Sequence, residues 1–418
     1  MRNNININKI NLIGIGKLGA CMAVCFADAG FKILGYDINE DTVSTLKKYK
    51  SHIVEKDFQK YLSKSKKNLN FTSNIDDLSS HSSLSFIIVP TPSLKDNSFD
   101  NSYLIDSLKK LCLSLKKNKV KKHHFFINST VMPGSCKKIF IPLIEKYSGL
   151  KFMKNFTLSY NPEFIALGSV IKNFLNPDFL LIGKTSNVDT GILTSIYNKV
   201  CKNKPRFCDM SLTSAEITKI SLNSYITMKI SFANMLSNIS DNFDDVSSAD
   251  IANALGSDKR VSPYYINPGL PFAGPCFPRD NKAFNKFLNS IKVNCYLPRE
   301  TDKYNDNYNN YLVNKVITIL NKNENKNIKT IGLYGVSFKK GTNVVEKSIS
   351  VELINKLKSK FKIIIFDEAF DINYLGYEVV NDLRKFNKQS DLVLINHLEN
   401  DLFLKSKFKN NYLNLWKF

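Results

Sequence analysis

Cys276 stands in the run Gly274-Pro-Cys-Phe-Pro-Arg-Asp280. Pro278 follows it by two residues, and a proline in the first turn of a helix loses no donor that the helix needs. The unpaired N–H groups and the positive dipole end of that turn favour a thiolate at Cys276. Asp280 follows four residues after Cys276 and falls on the same side of the turn. A cysteine in an activating environment beside a carboxylate is suited to covalent attack on a carbonyl carbon. The plainer reading of any one cysteine is a small buried apolar side chain, so the rest of the chain has to decide.

The N-terminus supplies a second chemistry. An apolar strand beginning at Lys9 runs into Gly14-Ile15-Gly16-Lys17-Leu18-Gly19. A helix is expected over 20–29, and a second strand from Lys32 ends in an acid, Asp37. Strand, glycine turn, helix, strand and acid, in that order, form the dinucleotide-binding unit. The glycines let the backbone approach a pyrophosphate, and the helix N-terminus attracts its charge. Asp37 in that position bonds the adenosine ribose hydroxyls and repels a 2′-phosphate, which predicts NAD rather than NADP.

Elements that could carry these residues alternate along the first part of the chain, which predicts an α/β fold with a parallel sheet. Further strands are expected over 84–89, 124–128, 157–160 and 179–182. Ligands of such sheets bind beyond the carboxyl ends of the strands. Pro90 and Thr91, then Thr130, then Glu163 with Phe164 and Ile165, all fall at or just past such ends. From Ser211 to Ser240 there is no Gly or Pro, and the stretch reads as one long helix. Lys219 and Asn223, four apart, project from one face of it, as they would from an ordinary solvated face. The loop 262–275 is rich in Pro, Gly and aromatics and reads as a binding loop leading to Cys276. A helix over 307–321 and a polar run over 321–328 precede a second α/β unit, with strands expected at 330–335, 362–366, 391–395 and 412–415.

Composition narrows the class. The 418 residues suit two or three domains, and 43% hydrophobic content suffices for packed cores. No apolar run reaches the roughly 20 residues of a membrane helix, and the polar start, Met1 to Lys9, does not read as a signal peptide. The eight cysteines and five histidines follow no metal or disulfide spacing, so no metal is expected, and Cys21 and Cys25 read as one buried helix face. A reducing, cytoplasmic compartment fits. The net charge of +22 is spread along the chain, with its densest cluster at Lys116–Lys122, so it predicts no nucleic-acid partner. It would draw in an anionic small molecule.

Taken together, these residues resemble the UDP-glucose/GDP-mannose dehydrogenase family over essentially the whole chain. The likeness rests on Gly14-x-Gly16-x-x-Gly19, Thr91 in Pro-Thr-Pro, Ser129-Thr-Val-x-Pro-Gly134, Asn161-Pro-Glu-Phe164, Lys219 with Asn223, Gly274-Pro-Cys-Phe-Pro-x-Asp280, and Phe338-Lys339 followed by Gly341-Thr342. It implies two Rossmann-like lobes joined by a long central helix and a small helical dimerisation region. The corresponding divisions are an NAD-binding domain at 1–205, a helical and catalytic-loop domain at 206–305, and a UDP-sugar-binding domain at 306–418.

The resemblance implies a four-electron oxidation of a nucleotide sugar at C6, with NAD as cofactor and a thiohemiacetal and thioester on Cys276. Lys219 and Asn223 are the implied donors to the C6 oxygen, Asp280 and Glu163 the proton-transfer carboxylates, and Thr130 the positioner of a water. Phe164, Ile165, Tyr265, Asn267, Gly269, Phe272 and Gly274 are the implied substrate contacts, with Lys339 as the cation for the diphosphate. A homodimer through the long helix is implied, with Arg260 reaching the partner's sugar site. The chain departs from the commonest pattern at Leu167, Phe272, Ala273, Arg279, Asn343 and Glu346. UDP-glucose is the expected substrate, with GDP-mannose and UDP-N-acetylhexosamines as alternatives. A two-electron hydroxyacid-type dehydrogenase would not need Cys276, and a non-catalytic nucleotide-binding module would not need Lys219, Asn223 or Asp280.

Overall fold

The computed structural model describes residues 6–417 apart from 52, 186, 323–327, 371–372, 375 and 410. The polar run expected over 321–328 therefore lies largely outside the described residues. The chain divides into two compact units, Met1–Ile220 and Ser221–Phe418.

Among the described residues of the first unit, eight strands form one sheet: β1 (Lys9–Ile13), β2 (Lys32–Tyr36), β3 (Leu69–Thr72), β4 (Leu84–Ile87), β5 (His123–Ile127), β6 (Phe156–Tyr160), β7 (Phe179–Lys184) and β8 (Arg206–Ser211). Their order is β3-β2-β1-β4-β5-β6-β7-β8. The sequence signals six of them; β3 has only four residues, and the half-exposed β8, RFCDMS, has no buried apolar run to mark it. The expected parallel sheet needs one correction. β7 runs antiparallel to β6, pairing Tyr160 with Gly183. The connector 161–178 holds only the short helix Val170–Leu175 and does not cross the sheet as a βαβ unit requires. The helix expected over 20–29 starts earlier, at Lys17, directly after Gly16. Its small residues Ala20, Cys21, Ala23, Cys25 and Ala27 are buried, which lets it lie close on the sheet.

In the second unit six described strands form a sheet of order β11-β12-β10-β9-β13-β14: β9 (Thr330–Tyr334), β10 (Lys362–Phe366), β11 (Asn373–Tyr374), β12 (Tyr377–Val379), β13 (Leu392–Ile395) and β14 (Tyr412–Asn414). The helix expected from about 307 begins at Leu297, because Pro298 in its first turn costs no hydrogen bond. Helix Leu212–Ser240 is a single helix, as expected for a stretch without Gly or Pro.

Both units contain the same backbone device. Gly14 adopts φ +90° and donates its N–H to Tyr36 at 2.9 Å, and the next N–H, of Ile15, goes to the Asp37 carboxylate at 2.9 Å. Gly335 adopts φ +93°, donates to Phe366 at 2.8 Å, and the next N–H, of Val336, goes to Asp367 at 3.0 Å. The second copy is filled in. Asp367 also accepts from the Ser337 N–H and hydroxyl at 3.0 and 2.7 Å, and the His397 ring covers Gly335. A Cβ on Gly335 would lie 2.3 Å from that ring, whereas one on Gly376, at φ +83°, would meet nothing within 4 Å. Gly335→Ala should therefore cost about 1–3 kcal/mol and lower the denaturant midpoint more than Gly376→Ala does. Equal losses would show that the His397 contact is costless to displace.

Candidate active site

The glycine turn of the first unit has the shape of a dinucleotide cradle. A Cβ on Gly14 would lie 2.4 Å from the Ile88 carbonyl, and one on Gly19 would lie 1.8 Å from the Gly14 carbonyl, so both positions are closed to any side chain. A Cβ on Gly16 would meet nothing within 4 Å, which leaves the top of the turn open. Helix Lys17–Asp28 starts there with no acid in its first turn to neutralise its N-terminal field. Ile15 is buried beneath the turn, Leu18 packs on the core and Lys17 is exposed. Asp37 is held at this edge, its second oxygen accepting the Asn39 N–H at 3.0 Å. Beyond β4, Pro90 is exposed and the buried Thr91 donates its hydroxyl to the Thr130 carbonyl at 2.7 Å. Ser129 bridges both backbone groups of Val89, at 2.9 and 2.8 Å. The two strand-end loops are thereby locked to each other.

Glu163 follows β6. Its carboxylate accepts from the Tyr197 hydroxyl at 3.1 Å and lies 3.5 Å from the Asn128 amide. Burial pushes its pKa up to about 7, against the lowering effects of the Tyr197 bond and the Lys219 charge. Lys219, buried on the long helix, donates to the Glu163 backbone carbonyl at 2.7 Å, and its ammonium stands 4.5 Å from the centre of the Phe164 ring. Phe164 in turn packs on Phe179 at 4.8 Å, and Phe164 and Ile165 line one cleft with Glu163 and Asn173.

One helical turn beyond Lys219, Asn223 donates to the fully buried Asp280 carboxylate at 2.7 Å. The other oxygen of Asp280 accepts from Arg279 at 3.0 and 3.1 Å. Helix Phe277–Ser290 begins as expected, with Pro278 in its first turn and Cys276 at its N-cap. The Cys276 residue is exposed. Gly274, at φ +86°, lies against the Phe338 ring and donates to the Glu346 carbonyl at 2.8 Å. Gly269 donates to Asn234 at 2.9 Å, and buried Phe272 exchanges both backbone bonds with Asn305 at 2.8 and 3.0 Å. Tyr265 and Asn267 are exposed, as is Lys339. Arg260 projects into solvent and pairs with Asp258 at 2.6 Å. Leu167 packs at the edge of the first unit's core.

The UDP-glucose/GDP-mannose dehydrogenase family NAD binding domain matches residues 8–201, and the family's central domain matches residues 213–307. UDP-glucose 6-dehydrogenase of Rickettsia bellii is 30% identical over 390 residues, covering 92% of this chain and 85% of its own. The chain belongs to the UDP-glucose/GDP-mannose dehydrogenase family. GDP-mannose 6-dehydrogenase of Azotobacter vinelandii is 28% identical over 395 residues, covering 92% of this chain and 88% of its own. A solved UDP-glucose dehydrogenase from Pyrobaculum islandicum superposes with a TM-score of 0.83 at 25% identity, covering 95% of this chain and 91% of that one. This chain is thus an NAD-dependent nucleotide-sugar 6-dehydrogenase, and the open Gly16 edge with Asp37 beside it fits that cofactor.

The family motifs do not signal every residue that holds this geometry. Tyr197, which bonds both Asn161 at 2.7 Å and Glu163, reads in sequence as a core aromatic on an ordinary helix. Glu216 is fully buried, and its carboxylate accepts the N–H groups of Gly134 and of Cys136, the latter at 2.8 Å. It ties the loop that bears Thr130 to the turn just before Lys219. Among the described residues, no group of three His, Cys, Asp or Glu is placed to hold a metal, and no helix is long and apolar enough to cross a membrane.

The Glu163 environment sets a pH dependence. The folded chain holds this proton more tightly than a carboxyl near 4.5, so Glu163 subtracts stability as pH rises from about 4.5 to about 7. A group that accepts protons during turnover gives activity rising through about pH 7, and Glu163→Gln should lose that limb. A pH–rate profile unchanged in Glu163→Gln would remove Glu163 from the proton-transfer chemistry.

Proposed function

We propose that this chain oxidises the C6 hydroxymethyl of UDP-glucose to the carboxylate through a covalent intermediate on Cys276. The observation that carries this reading is an exposed cysteine at a helix N-cap, with Asp280 one turn on and Asn223 bonded to it. Lys219 and Asn223, adjacent on one helix face, donate to the C6 oxygen as negative charge develops there. NAD, when bound by the Gly14–Gly19 turn and Asp37, supplies the hydride acceptor for each of two oxidations.

The first oxidation leaves an aldehyde. The Cys276 sulfur bonds to its C6 carbon and the oxygen takes up a proton, giving a thiohemiacetal. Loss of a hydride and of the hydroxyl proton then gives a thioester. Water adds to C6, the C–S bond breaks, the thiol is restored and the carboxylate leaves. Asp280 and Glu163 move these protons, and Thr130 orients the water. Tyr265, Asn267 and the 269–274 backbone receive the sugar, and Lys339 the diphosphate.

Three further parts belong to this reading. The functional domains fall at 1–205, 206–305 and 306–418, in keeping with the family matches at 8–201 and 213–307. The enzyme works as a homodimer through helix Leu212–Ser240, where Tyr225, Phe232 and Ile239, spaced by seven residues, leave an exposed apolar stripe. Exposed Arg260 reaches the partner's sugar in that dimer, which acts in the cytoplasm. GDP-mannose is the second candidate substrate, because relatives named for it are nearly as similar as those named for UDP-glucose.

NADH release over a panel of UDP-glucose, GDP-mannose and UDP-N-acetylhexosamines tests the proposal. UDP-glucose should give the highest kcat/KM, with two NADH per sugar nucleotide and little free aldehyde. Cys276→Ala should abolish acid formation while NAD still raises the melting temperature, and Lys219→Ala should cost about 10²–10³ in rate. One NADH per substrate, or near-normal acid production by Cys276→Ala, would rule out the thioester route.

A further inference from the structure

The layer beneath the Asn223–Asp280 pair is built from three side chains on three helices of the second unit. Thr227 lies one turn after Asn223 on helix Leu212–Ser240, Asn281 follows Asp280 on helix Phe277–Ser290, and Asp302 lies on helix Leu297–Lys322. The Asn281 amide donates to Asp302 at 3.0 Å and to the Thr227 hydroxyl at 2.9 Å. Thr227 in turn donates to the Ser224 carbonyl at 2.8 Å. Thr227 and Asn281 are both fully buried. The relay therefore runs from a carboxylate, through one amide and one hydroxyl, to the helix backbone at the residue next to Asn223.

We propose that Asn281, held by Asp302 and acting through Thr227, is a positioning residue that fixes the rotation of the long helix so that Asn223 meets Asp280. Two bonds from one amide, to side chains on two neighbouring helices, set both the spacing and the roll of those helices. The anchor is a strong one, because an ionised carboxylate accepting an amide hydrogen makes a charge-assisted bond. Burial pushes Asp302 up to about 6, with Lys282 and Lys347 opposing that rise and Asp306 adding to it, so the anchor is ionised at neutral pH. Asn281 and Thr227 bond to each other, to Asp302 and to the Ser224 carbonyl. Their effect falls on the placement of Asn223 and Asp280, and this inference rests on the catalytic reading of that pair.

Four single variants and one double variant of the full chain test it, with kcat and both KM values measured by NADH release and folding followed by thermal melting. Thr227→Val keeps the shape and removes the hydroxyl; it should lower kcat by about tenfold or more while leaving the KM for NAD unchanged. Asn281→Leu should do the same, and the double variant should fall no further than the lower single, because the relay acts as a unit. Thr227→Ser, which restores the hydroxyl, should restore kcat. A Thr227→Val enzyme with parental kcat, whatever its melting temperature, overturns the proposal, and it decides the matter even where Asn281→Leu fails to fold. Asp280→Asn separates the two levels. If it retains full activity, the catalytic reading itself falls; if it is impaired while Thr227→Val is not, only the positioning role falls.

Discussion

A polar side chain left unsatisfied inside a protein costs about 1–3 kcal/mol, so partners for the polar side chains along a partly buried long helix matter to everything packed on it. Helix Leu212–Ser240 finds such partners five times on a single stripe. Glu216 takes the backbone N–H groups of Gly134 and Cys136, Lys219 the Glu163 carbonyl, Asn223 the Asp280 carboxylate, Thr227 the Asn281 amide, and Asn234 the Gly269 N–H. The successive spacings of three, four, four and seven residues keep all five within one face. The loops that carry Thr130, Glu163 and Gly269 are tied to this stripe, and so is Asp280. The helix thus acts less as a hydrophobic strut than as a ruler with polar marks.

The two glycine turns show how one backbone constraint serves two purposes. A positive φ at Gly14 and at Gly335 aims the next N–H at a carboxylate on the neighbouring strand end. In the first unit the residue two further on is Gly16, with open space above it and Asp37 beside it, which is what a pyrophosphate and a ribose need. In the second unit the corresponding residue is Ser337, which donates inward to Asp367 and bonds His397 at 2.9 Å. Burial lowers the His397 pKa, against the raising effect of the Asp367 charge. The same fold thus presents an open cradle once and a sealed one once, and the difference lies in a hydroxyl and an imidazole.

Much of this was legible in the sequence because its signals are local. The strand–glycine–helix–acid order around Gly14–Asp37 named the cofactor, and the absence of Gly and Pro named the long helix. The reversed strand β7 was not legible: whether residues 161–178 cross the sheet depends on what they pack against rather than on their own pattern. Tyr197, Glu216 and Asn281 escaped for the same reason. A buried tyrosine, a helix-start glutamate and an asparagine after an aspartate are ordinary in sequence, and only the fold sets them against Glu163, Gly134 and Thr227. Long-range pairings of this kind have no periodicity to read.

The account turns on a bond between Cys276 and C6 of the sugar. Its most direct test is a single turnover with NAD and UDP-glucose, quenched in acid within the first turnover and analysed by peptide mass. The account predicts a sugar-nucleotide adduct on the peptide that contains Cys276, at the mass of the thioester or thiohemiacetal, appearing before the free acid and absent without NAD. Two NADH formed with no adduct at any time, or an adduct on another cysteine, would contradict it.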